Sequence, residues 1–589
     1  MRDRSASRGT IMGRSPQVRL DSTAHYFLEG LNELGLDYLF CNLGTDHAPL
    51  IEAMARWRRA GRAFPQTVLC PHENVAVHMA AGYAHATGRG QGVLVHVDVG
   101  TGNSAVAMHN AFRARTPVLL MAGRAPFTQR GELTGARDTY VHFVQEIYDQ
   151  AGIVRPYVKW EYSLPSGVVA KEALRRAHTM MESDPKGPVY LVLPRETLAE
   201  TWAENAVRSF PAERFGPAPA GGADPRAIDR LAERLIAAGN PLLITAYAGR
   251  DPATPALVDA LARLAGIRVV EFAPQHLNIP ADSPCAAGFV PGKLVAGADV
   301  GILLDVDVPW IPRDTPENPA TWWAQIDVDV VKQGFPMWDF AADLRIQGAS
   351  RRILEQLVAA VEAKATPAFR AAAAKRVEAM AAEHAARRTA LAQAAAERGA
   401  PGRINPQYLC AEVARAIGPD DVIVNEAIRN GLAVFNQVPR TVPGTLVGLA
   451  GGGLGFSGGT ALGVKLARPD RTVVQFCGDG SFYFCNPSAV YAVASQYQLP
   501  IFTVVLDNSG WAAVKEATLR VYPDGEAAAT NEYEALLAPD MNFAKVAEAA
   551  GAYGERVEDP AGVPAAIGRC LAAVRGGRAA VLHARVTPL

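Results

Sequence analysis

Residues 478–508 read GDGSFYFCNPSAVYAVASQYQLPIFTVVLDN, and this stretch decides the fold. An apolar strand, Thr472–Cys477, leads into it, and a second apolar strand, Ile501–Leu506, lies near its end. Between them Asn486 and Pro487 are residue types that begin helices, so the stretch predicts a strand–helix–strand unit with a right-handed crossover. Both strands then end at the same edge of a parallel sheet, where open α/β sheets bind ligands.

Several oxygen ligands collect at that predicted edge. Asp479 supplies a carboxylate, Asn508 an amide oxygen and Gly510 a backbone carbonyl, each shortly after a strand. A small divalent cation such as Mg²⁺ takes six oxygens and usually combines few protein ligands with phosphate and water. Gly478 and Gly480 flank the aspartate and allow phosphate oxygens to approach the backbone. The edge therefore predicts a metal-bound diphosphate.

The rest of the chain alternates apolar strands with helical patterns, which predicts three α/β domains with doubly wound parallel sheets. The expected divisions are a disordered tail at 1–19, a first domain at 20–205, a central domain at 220–362, a linker helix within 363–402 and a last domain at 403–589. The Ala-rich linker helix is expected at Phe369–Arg398. The remaining predicted strands are Tyr38–Asn42, Gly92–Val97, Val118–Ala122, Val189–Leu193, Pro241–Thr245, Arg268–Phe272, Val300–Leu304, Trp323–Ile326, Asp421–Val424 and Ala580–Ala584.

Composition excludes several classes of protein. The 589 residues carry a formal net charge of -1, which disfavours a nucleic-acid or membrane-surface partner. No apolar run approaches the roughly 18 residues that a membrane span needs. Seven dispersed cysteines without a C-x-x-C pair favour reduced thiols in the cytoplasm over disulfides or a zinc site.

A second motif, CPHEN at Cys70–Asn74, precedes a small and apolar helical segment that ends before Gly88. Glu73 is therefore expected at the buried N-terminus of a core helix, where the helix dipole favours a carboxylate. A carboxyl group in an apolar environment has a raised pKa and can share a proton with a nitrogen base. The motif predicts a buried acid or base in the first domain.

Together these motifs resemble those of thiamine-diphosphate-dependent enzymes, in particular the acetolactate synthase-like family. That superfamily combines Gly-Asp-Gly with a later Asn, as residues 478–480 and Asn508 do here. Residues 72–103, HENVAVHMAAGYAHATGRGQGVLVHVDVGTGN, resemble a segment in which Glu opens a helix ending in GYA-x-x-TG, followed by a strand and a Gly-rich turn, here Gly100–Asn103.

The resemblance implies that thiamine diphosphate and Mg²⁺ bind between two domains, one equivalent to the first domain of this chain and one equivalent to its last domain. Glu73 would be the cofactor-activating carboxylate, Asp479, Asn508 and Gly510 the metal ligands, and Leu454 the apolar wedge that bends the cofactor. The family pairs these domains across chains, which implies a homodimer or homotetramer with active sites between chains. The implied cofactor-binding residues are Glu73, Glu426, Ala427, Gly453, Leu454, Gly478, Asp479, Gly480, Ser481, Asn508, Gly510 and Trp511.

The implied reaction is decarboxylation or carboligation of a small 2-oxo acid, with Glu73, His47, Asn103 and Gln145 as catalytic candidates. Cleavage of a diketone or a 2-hydroxyacyl-CoA is an alternative within the family. Alternatives of another class are a catalytically silent assembly protein and a nicotinamide oxidoreductase, because residues 453–458 fit G-x-G-x-x-G. The ribose-binding acid expected after the next strand is missing, which disfavours the oxidoreductase. FAD in the central domain is not favoured, since residues 246–250 (AYAGR) lack a phosphate loop.

Overall fold

Three larger parallel sheets, one in each expected division, organise the computed structural model, which describes residues 20–538 and 540–588. The α/β fold class is confirmed. The tail expected at 1–19 lies outside the described residues. Within the described ranges, no helix is both long and apolar enough to cross a membrane.

The first sheet has the strand order β3-β2-β4-β5-β7-β6, and every neighbouring pair is parallel. The strands of this part are β1 Leu20–Ser22, β2 Tyr38–Asn42, β3 Gln66–Leu69, β4 Gln91–Val95, β5 Val118–Arg124, β6 Glu161–Ser163, β7 Val189–Pro194 and β8 Thr201–Ala203. The helices are α1 Thr23–Glu33, α2 Ala48–Arg59, α3 Glu73–Thr87, α4 Val97–Arg113, α5 Val141–Val144, α6 Ala170–Glu182, α7 Arg195–Ala199 and α8 Ala212–Phe215.

The central sheet has the order β10-β9-β11-β12-β13, again parallel throughout. Its strands are β9 Pro241–Thr245, β10 Arg268–Glu271, β11 Val300–Leu304, β12 Trp322–Asp327 and β13 Leu344–Gln347. Its helices are α9 Pro225–Ala237, α10 Thr254–Ala265, α11 Gly292–Gly297 and α12 Ser350–Lys364. The linker helix is α13 Pro367–Ala396; it packs on the central core through Phe369 and Met380, and a short hairpin, β14 Gly399–Ala400 with β15 Arg403–Ile404, follows it.

The last sheet has the order β17-β16-β18-β19-β21-β20 and is parallel. Its strands are β16 Val422–Glu426, β17 Leu446–Val447, β18 Val473–Gly478, β19 Phe502–Asp507, β20 Tyr553–Val557 and β21 Ala580–Arg585. Its helices are α14 Pro406–Ala416, α15 Gly431–Gln437, α16 Ser457–Ala467, α17 Asp479–Phe484, α18 Pro487–Gln496, α19 Ala512–Val521, α20 Glu526–Thr530, α21 Phe543–Ala549 and α22 Val563–Arg575.

The predicted strands are all present within a residue or two, but one connection was predicted wrongly. The strand expected at Gly92–Val97 ends at Val95, because Val97 already begins α4 with a φ of 33°. The Gly-rich turn expected at Gly100–Asn103 is therefore helical and belongs to α4. Within this helix the Thr101 and Ser104 hydroxyls are satisfied by hydrogen bonds to the backbone carbonyls one turn earlier.

Candidate active site

The metal ligands predicted from the sequence lie together at the carboxyl edge of the last sheet. Asp479 is the first residue of α17, directly after β18, and Asn508 directly follows β19. The Asn508 side-chain oxygen faces Asp479 Oδ1 at 3.1 Å and the Gly510 carbonyl oxygen at 3.0 Å. Three acceptor oxygens that face one another repel unless the Asn508 amide turns over or a cation lies between them.

The chemistry of these oxygens fits a small divalent cation. Neighbouring oxygens of an octahedron with metal–oxygen distances of about 2.1 Å are about 3.0 Å apart. The second carboxylate oxygen of Asp479 is buried and has no hydrogen-bond partner in the described part of the chain. Burial and the nearby Asp507 carboxylate raise the pKa of Asp479 to about 7. A bound cation would relieve both the oxygen repulsion and this burial of negative charge.

A buried ion cluster lies behind the same edge. Asp507 Oδ2 accepts hydrogen bonds from His583 Nε2 at 2.6 Å and from Arg585 Nη1 at 2.8 Å, both on the neighbouring strand β21. Its other oxygen accepts from the Ser509 backbone N–H at 2.9 Å, where Ser509 has a φ of 69°. Asp507 thus fixes the left-handed turn between Asn508 and Gly510.

Glu73 lies at the N-terminus of α3 and is buried, which confirms the position predicted for it. Asn42, the last residue of β2, donates to Glu73 Oε1 at 3.0 Å. Asn103 of α4 donates to Glu73 Oε2 at 3.0 Å. A Cβ on Gly100 would lie 3.2 Å from Glu73 Oε1, so this glycine gives the carboxylate its space. The two amides orient the carboxylate.

Sequence reasoning missed His96, the residue between β4 and α4. His96 Nδ1 lies 2.5 Å from Asp46 Oδ1, and Asp46 is fully buried. The hydrogen bond to Asp46 outweighs burial and raises the pKa of His96. The only signal in the sequence is a histidine directly after a buried strand, and its partner lies 50 residues away.

The predicted catalytic candidates His47 and Gln145 lie beside this pair. His47 is fully buried; its Nδ1 accepts from the Gly44 backbone N–H at 3.0 Å, and its Nε2 has no partner among the described residues. Gln145 follows α5, contacts His96 and has a buried Nε2 that is likewise without a partner there. Burial lowers the pKa of His47, which favours the neutral ring.

The loop before α16 carries Leu454, which is partly exposed. The Glu426 side chain, expected at the cofactor, accepts hydrogen bonds from Gly455 N at 2.5 Å and from Ser457 N at 2.9 Å. Its backbone carbonyl accepts from the Ser481 hydroxyl at 3.2 Å, and Ala427 beside it is buried. Burial raises the pKa of Glu426 to about 7.

The two glycines beside Asp479 have different surroundings. Nothing lies within 4 Å of a Cβ built on Gly478, which leaves open space for a ligand. A Cβ on Gly480 would lie 2.2 Å from the Trp511 ring, so that glycine makes room for Trp511. Trp511 in turn meets Phe484 edge to face at 5.9 Å.

The two halves of the candidate site contact each other within one chain. Asn74 Nδ2, next to Glu73, lies 3.2 Å from Gly455 O and 3.5 Å from Phe484 O, the last residue of α17. Helices α3 and α16 pack directly against each other. The Glu73 edge and the Asp479 edge are therefore joined through the loop that carries Leu454.

Comparison with known proteins fits this geometry. The family described as "Thiamine pyrophosphate enzyme, N-terminal TPP binding domain" matches residues 21–153, and its C-terminal counterpart matches 432–584. Benzoylformate decarboxylase of Pseudomonas aeruginosa is 26% identical over 509 residues, which cover 83% of this chain and 86% of that protein. The acetolactate synthase isozyme 3 large subunit of Escherichia coli is 26% identical over 535 residues, or 87% and 86% of the two chains.

The solved structure of benzoylformate decarboxylase from Polynucleobacter necessarius has the same fold, with a TM-score of 0.76 at 19% identity over 96% of this chain and 100% of that chain. Both binding domains are thus matched, and relatives align along most of the length. The chain therefore belongs to the superfamily of thiamine-diphosphate-dependent enzymes and resembles the acetolactate synthase-like family within it.

Proposed function

We propose that this enzyme uses thiamine diphosphate and Mg²⁺ to decarboxylate a small 2-oxo acid, releasing an aldehyde or joining the remaining fragment to a second carbonyl compound. One observation carries the proposal: Asp479 Oδ1 and the Gly510 carbonyl oxygen converge within 3.1 Å on the Asn508 side-chain amide, and the second Asp479 oxygen is buried without a partner in the described residues. Bound cofactor would supply a nucleophilic carbon for the ketone and a ring system that can take up the electrons released with carbon dioxide.

Glu73 would hold the proton that activates the cofactor. Its carboxylate is oriented by Asn42 and Asn103, and its buried surroundings would let it share a proton with a ring nitrogen. Asp479, Asn508 and the Gly510 carbonyl would hold Mg²⁺, and the open face at Gly478 would admit phosphate oxygens.

His47 and His96 would handle the substrate. His47 Nδ1 accepts a hydrogen bond, so its hydrogen is on Nε2, a buried donor suited to the carboxylate of a 2-oxo acid. His96 stays protonated to higher pH than a free histidine because of Asp46, which suits it to deliver a proton to the product. Relatives named benzoylformate decarboxylase and 2-ketoarginine decarboxylase support a 2-oxo acid as substrate.

The proposal includes a homodimer or homotetramer with active sites between chains. Exposed apolar side chains lie on the elements that carry the site, and a second copy would bury them. They are Val99 and Val106 on α4, Phe484 on α17, Val514 on α19 and Leu536. The seven cysteines are buried free thiols, which supports a reducing, cytoplasmic location.

Calorimetric titration with thiamine diphosphate and Mg²⁺, followed by a screen of 2-oxo acids for carbon dioxide release, tests the proposal. We expect tight binding only when both are present, and release from at least one 2-oxo acid. Absence of cofactor binding by the intact protein would overturn the proposal.

The variant Glu73→Gln tests the role of the carboxylate. Glutamine keeps the shape and accepts one hydrogen bond, but it cannot hold the proton. We expect proton exchange at the reactive cofactor carbon to slow by at least about 10²-fold, the low end for positioned proton transfer, while Mg²⁺ still binds. Unchanged exchange would remove Glu73 from the reaction.

A further inference from the structure

Buried side chains hold the loop on both sides of Leu454. Asn110 Nδ2 donates to Gly453 O at 2.9 Å, and Gly453 N donates to Asn110 Oδ1 at 3.1 Å. Gly455 N donates to Glu426 Oε1 at 2.5 Å, and Gly455 O accepts from Asn74 Nδ2 at 3.2 Å. The N–H and C=O of both flanking residues are thus bound by side chains instead of by a helix or a sheet.

The backbone on either side of Leu454 has no room to shift. A Cβ on Gly453 would lie 2.5 Å from Val106 of α4. Gly455 has a φ of 89°, and a Cβ there would lie 2.1 Å from the Phe484 carbonyl oxygen. Glycine is required at Gly455 because of this left-handed conformation and the close approach of α17. The loop is therefore packed against α4 on one side and α17 on the other.

A buried chain of hydrogen bonds fixes Glu426 in turn. The Ser457 hydroxyl donates to Glu426 Oε2 at 2.5 Å and accepts from Gln475 Nε2 at 2.8 Å. Thr503 donates to Gln475 Oε1 at 2.8 Å, and the Tyr491 hydroxyl donates to Thr503 at 2.9 Å. All five side chains are buried. A buried hydrogen-bond network in which the polar groups have partners favours a single conformation of its side chains.

The three holding side chains come from two different parts of the molecule. Asn74 and Asn110 belong to α3 and α4 of the first domain, whereas Glu426 ends β16 of the last domain. Each is at least nine-tenths buried, with exposed fractions of 6%, 6% and 1%. The position of Leu454 is therefore set relative to α3 and α4 of the first domain and to β16 of the last domain.

We infer that Asn74, Asn110 and Glu426 are positioning residues that hold Leu454 in a fixed position between the first and last domains of its own chain and so preset the bend of the bound cofactor. This inference rests on the proposed function and on the wedge role that the family resemblance implies for Leu454. A shift of the wedge by a fraction of an ångström would misalign the reacting groups, and misalignment of that size lowers rates steeply.

The variants Asn110→Leu and Glu426→Gln test the inference, with Leu454→Ala as the reference. Leucine removes both hydrogen bonds to Gly453, and glutamine turns an N–H toward the Gly455 or Ser457 donors. At saturating thiamine diphosphate and Mg²⁺, we expect both variants to slow proton exchange at the reactive cofactor carbon by at least about 10-fold, as Leu454→Ala does. In the cofactor-free protein, amide hydrogen exchange across residues 453–457 should become faster.

Asn278→Leu is the matched control. Asn278 is fully buried and donates to the Ala246 and His276 carbonyl oxygens in the central domain, so its loss removes comparable bonds away from the site. We expect lower stability and unchanged cofactor proton exchange. A merely structural role for Asn110 would give the same pattern as this control.

Folded Asn110→Leu and Glu426→Gln proteins with wild-type proton exchange would overturn the inference and leave the proposed function intact. Wild-type exchange in Leu454→Ala would overturn it as well, because the wedge itself would be unnecessary. Failure of the wild type to bind thiamine diphosphate would overturn the proposed function and this inference together. If Asn110→Leu does not fold, Asn110→Asp replaces it in the test. This variant keeps only the acceptor for the Gly453 N–H, and the same results would support or overturn the inference.

Discussion

At the scale of single residues, the Asp46–His96 pair is the most informative feature of the site. Asp46 is fully buried, and burial alone would raise its pKa, but the hydrogen bond to His96 and the neighbouring His47 lower it. The same hydrogen bond raises the pKa of His96. The pair therefore stabilises the fold between these two pKa values; the contribution is lost in acid as Asp46 protonates and in base as His96 loses its proton.

Asp46→Asn should lower the pKa of His96, because asparagine removes the negative charge and burial then dominates. We expect the alkaline limb of the kcat/KM profile for 2-oxo acid decarboxylation to move to lower pH. Asp138→Asn, which alters an exposed carboxylate beside His142, is the control and should leave the limb in place. An alkaline limb that does not move in Asp46→Asn would show that protonated His96 is not required.

The residues that were predicted from the sequence have structural surroundings that can be recognised in the local sequence. The residue that was missed does not. Glu73, Asp479 and Asn508 stand beside strands or helices whose ends are visible in the local pattern. His96 has no such context, since its partner Asp46 lies on another loop and meets it only after β2 and β4 pair. Residues defined by tertiary contacts could not be predicted from spacing.

At the scale of elements, α3 and α16 pack through glycines. A Cβ on Gly82 of α3 would lie 2.2 Å from the Thr460 carbonyl oxygen, and a Cβ on Gly463 of α16 would lie 2.1 Å from the Met79 carbonyl oxygen. Two helix backbones therefore touch directly. This close approach brings Asn74, at the start of α3, to the loop before α16.

Gly82→Ala should destabilise the protein by about 1–3 kcal/mol, the usual cost of overpacking, because the new methyl group meets backbone that cannot rotate away. Gly568→Ala in α22 is the control: nothing lies within 4 Å of its Cβ, and alanine should stabilise that helix by about 0.4–1 kcal/mol. Urea unfolding followed by circular dichroism measures both. Equal effects of the two substitutions would contradict direct helix contact.

Strand prediction succeeded in the sheet centres, but it missed the edge strands β3, β6, β13, β17 and β20 and misplaced one connection. Tyr38–Asn42, Pro241–Thr245 and Val300–Leu304 were predicted with the bounds that the structure has, since buried parallel strands are short apolar runs. The two-residue strand Leu446–Val447 was not predicted, because a segment that short has no periodicity. The apolar run that continues past Val95 hid the start of α4, since periodicity cannot separate a buried strand from a buried helix turn.

At the scale of the whole molecule, the first and last sheets have the same strand order. Numbered along the chain within each sheet, both read 2-1-3-4-6-5. Helices α3 and α16 follow the second strand of their sheets, and α4 and α17 follow the third, so Glu73 on α3 and Asp479 on α17 lie on elements that do not correspond in the two folds. Two similar folds face each other, one with the carboxylate that would activate the cofactor and one with the metal ligands. No repeat is visible in the sequence, because the packing pattern repeats while the residues do not.

A buried ion cluster joins the first sheet to the central one. Arg115, just after α4, donates to Asp307 Oδ1 at 2.8 Å and to Oδ2 at 3.0 Å. Lys332, whose side chain is fully buried, donates to Asp307 Oδ1 at 2.9 Å and to Asp327 Oδ2 at 2.6 Å. Asp329 Oδ2 lies 3.8 Å from Arg115 Nη2 as a third carboxylate, so two cations hold three carboxylates, and burial makes these pairs matter, since an unpaired charge cannot be solvated there.

Arg115→Met should therefore cost about 3 kcal/mol of unfolding free energy, the low end for breaking a buried pair, because Asp307 keeps Lys332 as a partner. Arg268→Met, which breaks the exposed pair with Glu383, is the control and should cost about 1 kcal/mol or less. Amide hydrogen exchange should quicken at residues 305–308 and 115–118 in Arg115→Met alone. Equal stability losses in the two variants, or exchange changes spread evenly over the chain, would mean that the Arg115 cluster does not fix the central domain against the first.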